Sequence, residues 1–89
     1  MYRIDFTNAF KADVKRARKR GLDIESLEKI VDDLQKGIPL EPKHRDHALG
    51  GNYTGSRECH IKPDWLLVYY ILEEWLVLKR TGTHSDLFD

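Results

Sequence analysis

Eighty-nine residues and 10.5 kDa are enough for one hydrophobic core and too few for two, so a single site on a single domain, residues 1–89, has to account for what the chain does. Hydrophobic residues make up 40% and charged ones 34%, which excludes a disordered tail, while 15 basic against 15 acidic side chains give a formal net charge of zero and exclude a protein that grips nucleic acid by global attraction. The lone Cys59 has no intramolecular disulfide partner, no secretory leader pattern opens the chain, and the apolar run Trp65 to Leu72 is strand-sized against the roughly 20 residues of a membrane helix, so the expectation is a cytoplasmic protein with no membrane attachment.

Tyr2, Ile4 and Phe6 alternate with Arg3 and Asp5, the period of a short half-buried strand. Thr7 or Asn8 can cap a helix in which Phe10, Val14 and Ala17 recur at helical spacing, and Gly21 is a natural stop. Near its end Lys15, Arg16, Arg18, Lys19 and Arg20 form a basic cluster, either the solvated side of the helix or a surface for phosphates. Asp23 can cap a second helix with Leu27, Ile30, Val31 and Leu34 on one side and Gly37 past its end. Ile38 to Gly55 holds two prolines and three glycines and predicts an irregular connection of a length that is often functional. Strand character returns from Ser56 to Ile61, Lys62-Pro63-Asp64 turns the chain, and Trp65 to Leu72 has no polar alternation, as in a central strand covered on both sides. Glu73-Glu74 then leads into a last strand, Trp75 to Thr81. The expected fold is α+β, ordered β-α-α-β-β-β, with two antiparallel helices on one side of a mostly antiparallel sheet and the opposite side free for a site.

All four histidines lie outside the predicted helices, in the second half of the chain. Imidazole, with an ordinary pKa of about 6.5, populates both protonation states near neutrality, so two of them can give and take protons in one reaction. RNA carries its own nucleophile. Cutting it without a metal requires a base for a 2′-hydroxyl, an acid for the leaving 5′-oxygen and a fixed cation for the charge that builds on phosphorus. Glu58 and His60, two apart on a strand, point to one side, where the carboxylate can orient the ring; otherwise they are the solvated side of an edge strand. Asp64 suits a tight turn. Arg80 and His84 are brought back toward one another by Thr81-Gly82-Thr83, and arginine offers a permanent charge and several donors to phosphate. His47 stands before Leu49-Gly50-Gly51, and His44, between Lys43 and Arg45, reads as surface. Three histidines with nearby carboxylates could instead bind zinc, but no pair has a close ligand spacing.

The stretches His47-Ala48-Leu49-Gly50-Gly51, Gly55-Ser56-Arg57-Glu58-Cys59-His60-Ile61, Pro63-Asp64-Trp65-Leu66-Leu67-Val68-Tyr69 and Arg80-Thr81-Gly82-Thr83-His84-Ser85-Asp86-Leu87-Phe88 together resemble the YafQ-like branch of RelE-family toxins. The resemblance covers the second half of the chain, and the β-α-α start agrees with that family's architecture. It implies an endoribonuclease that enters the ribosomal A site and cuts mRNA on the ribosome by 2′-hydroxyl attack, without metal or other cofactor, and that is held in check by a cognate antitoxin protein. Carried over by position, it implies catalytic roles for His47, His60, Asp64, Arg80 and His84, with His84 as general acid, His60 with Asp64 as base or its support, and Arg80 as phosphate clamp. Phe88 matches an aromatic that helps place the substrate; Lys15, Arg16 and Glu58 are further substrate-side candidates, Glu58 standing where the family pattern has an aspartate. Two other readings are a ParE-like toxin that binds gyrase without catalytic histidines, and a noncatalytic RNA- or protein-binding domain.

Overall fold

The computed structural model describes residues 1–88, in the order β1 (Arg3–Phe6), α1 (Asn8–Lys19), α2 (Ile24–Gln35), β2 (His47–Ala48), β3 (Arg57–Lys62), β4 (Trp65–Leu72), β5 (Trp75–Gly82) and α3 (His84–Phe88). The strands form one sheet, β1-β5-β4-β3-β2, in which only the β1/β5 edge is parallel. The expected α+β architecture is therefore present. Among strands and α-helices two elements exceed the expectation: a two-residue strand at His47–Ala48, and a short helix from His84 where the sequence suggested only a turn.

Local chemistry sets the helix ends. The Thr7 hydroxyl accepts the Phe10 amide at 3.0 Å and donates to the Lys79 carbonyl at 2.7 Å, so one side chain both caps α1 and ties it to β5. Past the end, Gly21 at φ 76° lets the Leu22 amide reach the Ala17 carbonyl at 3.1 Å, and Gly37 at φ 73° does the same for Ile38 and Asp33 at 2.9 Å. Both are Schellman closures, which need a left-handed residue. Asp23 precedes α2 as expected, but its carboxylate accepts the Ser26 hydroxyl and caps no backbone amide.

The helices cover one side of the sheet. Phe10 and Ala17 of α1 and Leu27, Ile30 and Leu34 of α2 pack on Cys59, Ile61, Leu67, Tyr69, Leu76 and Leu78. Leu67 and Leu76 are wholly buried, each worth roughly 2 kcal/mol over an exposed side chain. The predicted covering of β4 holds only to Tyr69: β3 pairing ends at Arg57↔Tyr69, and Ile71 and Leu72 beyond it are 40% and 61% exposed. Phe6, expected to be half-buried, is 44% exposed because it sits on the edge strand, against Phe10 and beneath the Lys11 ammonium.

The side away from the helices carries the alternate residues. Register puts His47, Glu58, Val68 and Arg80 in one row across β2, β3, β4 and β5, and His60, Leu66 and Gly82 in the next. Between Val68 and Tyr69 the β4/β5 register slips by one, leaving Lys79 as the extra residue of a bulge directly before Arg80.

Candidate active site

Three imidazoles and one guanidinium are set on this second side by contacts that can be followed atom by atom. His47 and His60 flank Glu58: their Nε2 atoms lie 3.6 and 3.8 Å from its Oε1. Glu58 is 5% exposed, so the anticipated solvated edge is excluded and the carboxylate lies buried between two rings. Each ring is fixed from behind. Nδ1 of His47 faces the Arg45 carbonyl, and Nδ1 of His60 faces the Pro63 carbonyl at 3.1 Å. A carbonyl can only accept, so both Nδ1 atoms carry a proton and Nε2, the atom nearer Glu58, is the one left to take up or give up a second. His44, read from the sequence as surface, is half-buried, and its Nδ1 donates to the His60 carbonyl at 2.7 Å.

The Pro63-Asp64 turn joins His60 to His84. Pro63 holds the His60 ring, and Asp64 accepts the backbone N–H of His84 at 3.4 Å. Adjacent residues of one turn thus tether both histidines to the same end of the sheet. Asp64 acts on the His84 segment, whereas the sequence reading set it beside His60. The His84 ring packs tilted against Phe88 at 5.1 Å, and Phe88 meets Tyr53 edge-on at 5.3 Å, so an aromatic chain links α3 to the long connection. Tyr69, buried at the sheet centre, donates to Asp46 at 2.6 Å, and Arg57 reaches the same carboxylate; this anchors the loop beside His47.

Arg80 comes from β5 and is held by Asp13 of α1 through Nε at 2.6 Å and Nη2 at 3.1 Å, which raises its pKa above the ordinary arginine value. Arg16 joins Asp13 at 2.8 Å and Asp86 at 3.5 Å, and Arg20 makes a two-toothed pair with Asp86 at 2.7 and 3.2 Å. Asp86 belongs to α3. That arginine, together with the Thr83 amide, holds its carboxyl well below the usual carboxylate range.

The comparisons with known proteins bear on this arrangement. Residues 2–89 match the family described as the bacterial toxin of type II toxin-antitoxin systems, YafQ. The chain belongs to the YafQ family. It is 37% identical over 86 residues to the mRNA interferase toxin YafQ of Escherichia coli K12, covering 96% of this chain and 94% of that one. A metal-bound toxin from Helicobacter pylori superposes with a TM-score of 0.93 at 44% identity, over 99% of this chain and 100% of that one. YafQ in the E. coli DinJ-YafQ toxin-antitoxin complex superposes with a TM-score of 0.91 at 36% identity, over 99% and 98%.

Within this YafQ-family chain the sequence-derived candidates divide. His47, His60, Arg80 and Glu58 share two neighbouring rows of the open side, and His84 and Phe88 sit at its end on α3, with Asp64 as tether. Arg16 is turned into the arginine–aspartate network, and Lys15 is exposed on α1. Among the described residues no three His, Cys, Asp or Glu side chains are gathered as a metal would need. Sequence reasoning missed three residues. Lys79, the bulge residue of β5, donates to the Ser56 hydroxyl at 3.1 Å, and a bulge leaves no mark in composition. His44 bonds a backbone carbonyl, which spacing cannot reveal. Asp13 did leave a signal: with Phe10 and Ala17 it falls on the apolar stripe of α1, where a carboxylate must find partners.

Proposed function

We propose that this chain is an mRNA-cleaving toxin of a toxin–antitoxin pair, acting on messages in the A site of the ribosome by metal-independent attack of a 2′-hydroxyl on the adjacent phosphodiester. The observation that carries the reading is the pair of histidines flanking Glu58, each with Nδ1 committed to a carbonyl and Nε2 without a hydrogen bond, His47 in the row of Arg80 and His60 in the next. Two rings with unoccupied Nε2 atoms and a third on α3 supply the acid and base that RNA transesterification requires. His60 takes the 2′-hydroxyl proton, Glu58 stabilises the imidazolium that forms, and His84 protonates the leaving 5′-oxygen. Arg80 donates to the non-bridging oxygens as negative charge builds. Phe88 and Tyr53 offer aromatic surface on which an exposed base can stack.

The E. coli relatives named as mRNA interferase and as toxin–antitoxin complex support both the reaction and a cognate antitoxin as partner. The test is translation of a defined message in a purified system with the protein added and 3′ ends mapped, with and without chelator. Codon-phased cuts that survive chelation are expected. Cuts that vanish with chelator would replace the histidine mechanism by a metal-assisted one, and an intact message together with inhibited gyrase supercoiling would replace it by ParE-like action.

A further inference from the structure

Asp13 lies outside the open side, yet it is the most heavily bonded carboxylate near it. Its side chain is 1% exposed and accepts four donors: Arg80 Nε and the Thr81 amide on Oδ2, at 2.6 and 3.1 Å, and Arg80 Nη2 and Arg16 Nη2 on Oδ1, at 3.1 and 2.8 Å. A carboxylate has about four lone-pair positions, so Asp13 is saturated. Burying an anion this deeply is costly, and an anion beside a phosphate-binding arginine also weakens its pull on phosphate. Arg16 offsets the second cost, because the three groups together keep one net positive charge. An apolar residue on this stripe, between Phe10 and Ala17, would avoid the burial cost but would leave the Arg80 guanidinium and the Thr81 amide without this acceptor.

What the arrangement gains is orientation. Asp13 grips the guanidinium side-on, through two of its five donors, and the bond to Thr81 N–H fixes the same carboxylate to the strand from which Arg80 projects. The donors left over are both hydrogens of Nη1 and the second hydrogen of Nη2; one Nη1 hydrogen and that Nη2 hydrogen lie along the end-on edge and match two phosphate oxygens. We propose that Asp13 is a positioning residue that locks the Arg80 guanidinium so that this edge meets the scissile phosphate. The proposal rests on the reading of Arg80 as the clamp.

The test compares single-turnover cleavage on translating ribosomes for Asp13→Asn, Arg80→Ala and the double variant, with message affinity and thermal melts measured in parallel. Asp13→Asn is expected to slow cleavage at saturating message by roughly 10- to 100-fold, the usual cost of about 1 Å of misplacement, with affinity changed by less than about threefold. In the Arg80→Ala background the same change should cost almost nothing further. Equal slowing in both backgrounds would assign Asp13 to general stability and overturn the proposal. So would an unchanged rate for Asp13→Asn beside a slow Arg80→Ala, which leaves the clamp reading intact. An unchanged rate for Arg80→Ala removes the clamp and the positioning role together. If Asp13→Asn fails to melt cooperatively, Asp13→Glu serves instead: it keeps the charge, moves the grip outward by a methylene and should also be slow, and a wild-type rate for it would overturn the proposal.

Discussion

A histidine becomes a useful acid or base only when something decides which ring nitrogen is free. For His47 and His60 two backbone carbonyls make that decision, and Glu58 gives the protonated form a partner. Replacing His84 or Arg80 by alanine removes a proton donor or a fixed charge from an exposed or half-exposed position. Each is therefore expected to slow cleavage about 100-fold or more while the melt stays cooperative, and near-wild-type rates by 3′-end mapping would exclude them from the chemistry. Other residues are purely structural. Burial pushes the Cys59 thiol up to about 12, so it should resist iodoacetamide at neutral pH until the chain unfolds, as mass spectrometry across a denaturant series would show. The buried Trp65 indole donates to Thr81 Oγ1 at 2.9 Å, and that hydroxyl donates to the Leu66 carbonyl at 2.7 Å. Thr81→Val strands both partners and should cost about 1–3 kcal/mol in urea unfolding. Period-two spacing showed that Glu58 and His60 share a side. It could not show that Glu58 is buried between two rings, because the second ring arrives from a strand only two residues long.

The C-terminal helix shows how an element too short to be stable alone is held in place. Five residues cannot sustain a helix, and α3 is fixed by Arg20 on Asp86, by the Asp64 bond to the His84 amide and by Phe88 on Tyr53. Gly82 allows the approach: a methyl there would meet the Asp86 side chain at 3.0 Å. Gly82→Ala is expected to shift Asp86, and α3 with it, by a few tenths of an ångström, slowing cleavage more than it lowers the melting temperature; equal activity would show that α3 tolerates the shift. Asp86 also makes this docking pH-dependent. Its carboxyl is depressed below the ordinary 3.8, so its stabilisation is fully present above that value and is lost as pH falls through the native one. Hydrogen-exchange protection of the Leu87 amide, which reports α3 through its bond to the Thr83 carbonyl, should be constant above about pH 4 and fall progressively below it. Protection corrected for intrinsic exchange that is the same at about pH 5 and about pH 2 would remove Asp86 from the docking. None of this was legible in the sequence, because the basic cluster reads equally well as a phosphate surface until Arg16 and Arg20 are seen to face aspartates 13 and 86.

Taken whole, the molecule separates its two tasks by sheet face. Helices α1 and α2 bury one side, and His47, Glu58, His60 and Arg80 gather on the other, between a long connection and a short terminal helix. The division was readable because helical and strand periods in the sequence marked the buried side, and because every histidine fell outside the two long helices. The parallel β1/β5 edge and the bulge at Lys79 were not readable, since both depend on partners more than 70 residues away or on a slip of register. A formal charge of zero fits this division, since α1 spends Arg16 and Arg20 on Asp13 and Asp86. The most direct measurement is made on a message carrying a single 2′-deoxynucleotide at a mapped cut, translated with the protein and compared with the all-ribose message. Cleavage should disappear at that one phosphodiester and persist at the others. A cut that proceeds at the same rate without the 2′-hydroxyl would contradict internal attack and, with it, the acid and base roles of the histidines.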